Sequence, residues 1–264
     1  MKKICFQSLV MLAAFATTLF LFSRVNWLSV FHLDSRLIEE KVGNLYWSMY
    51  ENEANFVTHS SVTQPLDSLL SVLCSANQLE RSFVRLYVVR SREVNAYACP
   101  GGRIVVCSAL LKDCRSEAEL CGVMAHELAH VQEGHVMKKL IKELGITVLA
   151  QLVTGSEGAG LLREIGQLLS STAYSRQMEQ EADDIAVTYL QEARISPLPM
   201  ADFFIRLSHE NKVPELMEWI STHPDSEKRA THIRKKAQQK SITYRNVLDE
   251  SAWEQLKLVI QSCE

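Results

Sequence analysis

The stretch GVMAHELAHVQEGH, Gly122 to His135, sets His126 and His130 four residues apart, with Glu127 beside the first, inside an apolar run of helix formers. On a helix, positions i and i+4 lie about 40° apart on one face, so both imidazoles can meet a single ion at roughly 2.0–2.1 Å from each ring nitrogen. Glu127 comes next along the helix, near enough to act on a water at that ion without ligating it. Neutral imidazoles suit Zn²⁺, the metal lowers the pKa of a bound water, and the carboxylate can take the proton. The bland alternative is an ordinary amphipathic helix that happens to carry histidines. Against it, CGVMA ahead of the triad and Leu128-Ala129 within it are small and apolar, which puts the polar groups on an otherwise buried helix. Buried imidazoles and a buried carboxylate need partners, and a metal supplies one.

A catalytic zinc takes three protein ligands and leaves a further position open. A third histidine in the pattern H-E-x-x-H-x-x-G-x-x-H is excluded, because Glu133 stands at the glycine position and Val136 at the histidine position. His135 comes one residue early, about 100° around the helix from the required place, and is expected to serve local structure or to support a ligand. A later helix offers another donor. In YSRQMEQEADDIA, Tyr174 to Ala186, Glu179 and Asp183 share a face one turn apart, while Glu181 points the opposite way. That allows Glu179 to join His126 and His130 on the metal and Asp183 to accept the second N–H of a ligand histidine, fixing its tautomer. A solvated acidic face is the competing account; Ala182, Ile185 and Ala186 around the cluster weigh against it.

The chain has 264 residues, 47% of them hydrophobic and 22% charged, enough to bury a full core in one main domain. Its 28 basic and 31 acidic side chains are well mixed, leaving no basic stripe to track a phosphate backbone, so nucleic acid is not an expected partner. Lys2 and Lys3 precede a mostly apolar run, Ile4 to Phe22, which as a helix would reach roughly 28 Å, one hydrocarbon thickness. Residues 1–24 are expected to act as an uncleaved inner-membrane anchor, with residues 25–264 as a single exported domain whose core spans about 80–240. A cleaved signal peptide is the rival reading, since Ala14-Phe15-Ala16 has the small-x-small form. Seven cysteines show no paired C-x-x-C spacing and read as small buried hydrophobes, although an exported domain would permit disulfides.

Periodicity predicts helices over about 34–56 and 65–78, separated by the polar turn around THSSVTQP. The β-branched and aromatic segment Ser82–Arg90 and two short pieces flanking Pro100-Gly101-Gly102 predict a small sheet. Helix is then expected almost without break over 116–144, followed by a glycine-bearing loop, Gly155–Gly160, and helices over about 161–170, 173–192, 199–210, 225–239 and 251–261. The fold class is therefore α+β and mainly helical.

Four segments in this order, NAYACPGG, HELAH, SRQMEQEAD and THPDSEKR, resemble the zinc metallopeptidases that include CAAX-prenyl, HtpX-type, Oma-type, BepA-type and LoiP-type proteases. They span Asn95 to Arg229. The resemblance implies a zincin-like domain with one zinc per chain on His126, His130 and Glu179. It also implies Glu127 as base, Asp183 behind the ligands, and His223 and Arg229 near the cleft as catalytic candidates. His223 either approaches the metal in a resting state or stabilises the transition state. The chain departs from the branches with several membrane spans or tetratricopeptide repeats and looks most like short, single-anchor exported members.

The expected activity is therefore membrane-tethered endopeptidase action on unfolded or extended polypeptides of the cell envelope, the catalytic domain lying in the periplasm. Substrate would pair along the edge near Asn95–Cys99, and the Gly155–Gly160 loop would gate access. His223, Arg229 or Tyr174 would stabilise the oxyanion. A chaperone-like binding module on the same fold and a hydrolase of non-peptide amides or esters are the competing readings.

Overall fold

A computed structural model describes residues 35–155, 158–171, 173–209, 219, 221–239 and 241–262. The chain divides into a unit ending at Ile38 and a compact unit, Glu39–Glu264, to which the following refers. The apolar run Ile4–Phe22 lies outside the described residues, among which no helix is long and apolar enough to cross a membrane.

Helices α1 (Ser35–Glu53) and α2 (Ser60–Ala76) precede a three-stranded sheet of β1 (Arg85–Val89), β2 (Ala96–Cys99) and β3 (Arg103–Cys107). The α2 helix begins five residues before Pro65, earlier than periodicity suggests, because the His59 ring accepts from the Ser61 N–H and caps the extra turn. The strand order is β1-β3-β2, with β1 parallel and β2 antiparallel to β3. Gly101 and Gly102 turn the β2–β3 hairpin with φ of +77° and +73°, a conformation that disfavours side chains. This leaves β2 with one edge unpaired by the sheet.

A short helix, α3 (Ser108–Asp113), leads to α4 (Glu117–Gln132), whose N-cap is Ser116, the hydroxyl accepting from the Glu119 N–H. Nearly every α4 residue is buried, as befits a helix packed on all sides by α8 (Arg176–Glu192), α9 (Leu198–His209) and the strands β2 and β3. The helix expected almost without break to Leu144 is interrupted after Gln132. Gly134 adopts a left-handed conformation (φ +62°), and α5 (His135–Leu144) begins directly after it.

Helices α6 (Ile146–Thr154) and α7 (Ala159–Ser171) follow; part of the expected gating loop between them lies outside the described residues. The α10 helix (Ser226–Ala237) packs on α8 and α9, and α11 (Glu250–Ser262) on α2 and α3. Cys74, Cys99, Cys107, Cys114 and Cys121 are buried, matching their reading as small hydrophobes, while Cys5 and Cys263 lie outside the described residues.

The central helix meets α9 closely at Gly122. A Cβ built there would stand 2.5 Å from Met200 Cβ and 3.2 Å from its Cα, so the helices can approach only with hydrogen at this position. Gly122→Ala should therefore destabilise the fold by about 1–3 kcal/mol despite alanine's better helix propensity. Urea unfolding checks this, and an unchanged midpoint would show that α9 yields freely.

Candidate metal centre

Helix α4 carries His126, Glu127 and His130, and α8 carries Glu179 and Asp183. His223 follows Trp219 closely, and Arg229 projects from α10. Although these seven residues span more than a hundred positions, all are buried side by side. The Ser175 hydroxyl caps α8 by accepting from the Met178 N–H, which begins the helix at Arg176 and places Glu179 in its first turn.

His126 Nε2 and His130 Nε2 lie 3.1 Å apart. Glu179 reaches both, with Oε2 3.5 Å from His126 Nε2 and Oε1 3.4 Å from His130 Nε2. His223 Nδ1 closes the group at 3.3 Å from His126 Nε2 and 3.0 Å from Glu179 Oε1. One ligand atom from each of the four residues falls within 4.8 Å of the others. Zinc bonds of about 2.0–2.1 Å in tetrahedral geometry separate neighbouring ligand atoms by roughly 3.3–3.4 Å. The observed spacings of 3.0–3.5 Å surround that value, so the donor set fits a zinc ion. Charge agrees with geometry: Glu127, Glu179 and Asp183 are buried together, of these Arg229 contacts only Glu179 and Asp183, and a divalent cation would balance the remaining negative charge.

The far nitrogens of the two α4 histidines are also held. His126 Nδ1 lies 3.0 Å from Asp183 Oδ1, which orients Nε2 toward the cluster. His130 Nδ1 lies 3.0 Å from His135 Nδ1, and behind it His135 Nε2 is 3.4 Å from Glu181 Oε2. A continuous helix would have carried His135 away from this position. The left-handed turn at Gly134 brings it back, a contact that helical spacing could not have revealed. Glu181 does point away from Glu179's cluster, toward His135. Tyr174 stacks on the His130 ring with centroids 4.1 Å apart, and His223 stacks on Trp219 at 4.4 Å.

Glu127 Oε2 accepts from the Ala98 N–H on β2 at 2.9 Å. Its Oε1 is buried with no hydrogen-bond partner among the described residues and lies 3.5 Å from His223 Nε2. Burial pushes the Glu127 carboxyl up, against the pull of His223 and His126. Burial also holds His130 well below the usual imidazole range, in the neutral form that ligates. Burial and Arg229 oppose a charge on His126, yet Asp183 and Glu179 outweigh them and raise it to about 9; a metal must displace that proton.

Peptidase family M48 matches residues 61–237, two thirds of the chain and all of this cluster. The chain belongs to that family. A putative beta-barrel assembly-enhancing protease of Vibrio cholerae is 29% identical to this M48 chain over 228 residues, covering 80% of the chain and 46% of that protein. The beta-barrel assembly-enhancing protease of Escherichia coli is 28% identical over 221 residues, with 76% and 44% covered. Metalloprotease LoiP of Escherichia coli is 32% identical over 166 residues, with 60% and 64% covered. The M48 chain thus spans less than half the length of the first two relatives. Its mainly helical α+β architecture, with a small sheet and the His126–His130–Glu179 convergence, is zincin-like.

Arg229 holds the M48 cluster from behind. Its Nε and Nη2 donate to Asp183 Oδ2 and Oδ1 at 2.7 and 2.8 Å, a bidentate pair. Its Nη1 stands 2.5 Å from Glu179 Oε2, close enough for an ion pair but outside hydrogen-bond angles. Burial pushes Asp183 up, but Arg229 and its hydrogen bonds prevail and hold the carboxyl below its usual range. Arg229→Met should therefore cost about 3–5 kcal/mol at pH 7, because it strands a buried carboxylate. The depressed pKa of Asp183 contributes stability above its unfolded value of about 3.9, and that contribution is lost as pH falls through the folded value. Urea titrations with chelator present should thus show the gap between variant and parent narrowing below about pH 4; a gap independent of pH would contradict the assignment.

Proposed function

We propose that this chain is a zinc-dependent metalloendopeptidase that cleaves unfolded or misassembled polypeptides of the cell envelope, tethered to the inner membrane by residues 1–24, with residues 25–264 as its catalytic domain outside the cytoplasm. The observation that carries the catalytic part is the convergence of His126, His130 and Glu179 ligand atoms beside the Glu127 carboxyl, whose second oxygen binds an edge strand. The similarity to a beta-barrel assembly-enhancing protease supports the envelope assignment, and that to a metalloprotease supports the activity.

His126, His130 and Glu179 would hold one zinc per chain. When bound, the ion supplies Lewis acidity, polarising a carbonyl and lowering the pKa of a water. Glu127 takes the proton of the attacking water and delivers it to the leaving amine. Its raised pKa suits both tasks, since a carboxyl pushed toward neutrality can accept and then release a proton. The Ala98 N–H fixes one oxygen, so the proton is handled at Oε1, the atom without a hydrogen-bond partner among the described residues. Asp183 and Arg229 position the ligands; the guanidinium is committed to two carboxylates, which favours that task over contact with substrate. Tyr174, kept neutral by burial, remains a hydroxyl donor beside His130.

His223 has its Nδ1 among the ligand atoms and its Nε2 toward Glu127, filling the corner that a substrate carbonyl would need. This supports the resting role for His223, so the ring withdraws before cleavage. A chain pairing with β2 would be held by main-chain hydrogen bonds, which accept many sequences and suit the handling of unfolded proteins.

Glu127→Gln should keep its zinc yet lose about 10²–10⁴ of the rate on casein, and proteolysis at the parent rate would remove Glu127 as the base. Glu179→Gln should emerge with reduced zinc by metal analysis; full occupancy would move the third ligand elsewhere. His223→Ala should raise the casein rate, whereas a fall would assign the ring to the oxyanion instead.

A further inference from the structure

Beside the metal cluster a second cavity, of about 340 Å³, opens between α1, β2 and α7. Tyr46, Tyr50, Tyr97 and Leu169 supply much of its wall, with Asn95 and Glu93 among its polar groups. It adjoins the cluster directly: Tyr97 precedes Ala98, whose N–H binds Glu127, and the lining residue Thr222 precedes His223.

The strand β2 is at the edge of the sheet. The Cys107 N–H donates to the Asn95 carbonyl at 3.0 Å, which sets the alternation of the antiparallel ladder. Asn95 and Tyr97 turn their backbone groups toward β3, whereas Ala96 and Ala98 turn theirs toward the free edge. The side chains of Asn95 and Tyr97, two residues apart, share the face that lines the cavity. A polypeptide paired with that edge brings every second side chain to the same face.

The walls specify the occupant. Tyr46 and Tyr50 stack with centroids 5.9 Å apart, and the Tyr50 and Tyr97 hydroxyls are bonded to each other at 2.7 Å. Asn95 is 4% exposed, and its Oδ1 has no hydrogen-bond partner among the described residues. Buried acceptors are normally satisfied, so an unpaired one on a residue that lines a cavity beside the metal cluster asks for a donor from outside. The Glu93 carboxylate acts on the Tyr50 hydroxyl and adds negative potential to the same cavity. Aromatic faces, a lone acceptor and a nearby carboxylate suit a long alkyl stem ending in a cationic donor.

We propose that this cavity is a substrate subsite that takes a lysine or arginine side chain from a polypeptide paired with β2. The proposal rests on the peptidase reading of the metal centre and adds a side-chain preference to it.

Binding separates the two ideas, because it can be read without turnover. Fluorescence anisotropy on the zinc-loaded full chain carrying Glu127→Gln would compare decapeptides bearing one arginine at each successive position with their norleucine counterparts. At one position arginine should bind about tenfold tighter, the scale of one charge-assisted hydrogen bond. Adding Asn95→Leu or Glu93→Gln should bring that ratio toward one, and Asn95→Asp should keep it or raise it. Glu93 is exposed, so its variant reads the subsite even if Asn95→Leu fails to fold. Equal binding of arginine and norleucine peptides at every position would overturn the subsite, as would discrimination unaltered by both Asn95→Leu and Glu93→Gln. Chelator-sensitive digestion of casein by the parent chain tests the peptidase reading separately. Mapped cuts should place lysine or arginine at one fixed distance from the scissile bond, and cuts without that enrichment would sink the subsite while leaving the peptidase standing.

Discussion

The interior of this protein is organised around an electrostatic problem. Three carboxylates, three imidazoles and a guanidinium are removed from water at the meeting point of α4, α8, α10 and the segment ending at His223. Removing charge from water costs several kcal/mol per ion unless the charge is paired with good geometry. The pairing here is dense: Arg229 forks onto Asp183 and reaches Glu179, Asp183 reaches His126, and Glu179 reaches both α4 histidines. Every helix around the cluster must keep its place for these contacts to survive. That demand explains the close seat of α9 on α4 at Gly122, where a methyl group has no room.

The same arrangement couples the sheet to the chemistry. Ala98 belongs to an edge strand, yet its N–H is spent on Glu127 rather than on a neighbouring strand. The carboxyl proposed as the base and the backbone proposed to align a substrate are thus one hydrogen bond apart. Tyr97 and Asn95, earlier on the same strand, line the cavity beside the cluster, so under the proposed function one short strand would align a substrate, select a side chain and hold the base. Trp219 packs behind His223 and Tyr174 behind His130, so stacking adds to the polar contacts that hold these two rings.

Much of this was legible along the chain. The four-residue spacing of His126 and His130, and of Glu179 and Asp183, is a local property of helices, and both helices formed where periodicity placed them. The hairpin at Pro100-Gly101-Gly102 was likewise readable, since glycine is the residue that tolerates its dihedrals. Boundaries were less legible. The α2 helix starts before its proline because a histidine caps it, and the long helix breaks at Gly134 because that residue takes a left-handed conformation. His135 does support a ligand candidate, as expected, but which histidine it contacts, His130, became evident only with the break at Gly134.

Sequence alone determined which helical faces carry donors, because residues a turn apart on one helix must lie together whatever the rest of the chain does. It also determined the mainly helical α+β class, through periodicity and turn chemistry. Tertiary structure alone decided that the two donor faces meet, that Arg229 is spent on carboxylates, that His223 stands among the ligand atoms, and that Asn95 lines a cavity with an acceptor unpaired among the described residues. These are contacts between residues forty or more positions apart, or cavities bounded by three separate elements. No local rule sets them, since they follow from how helices and strands pack once their burial is shared.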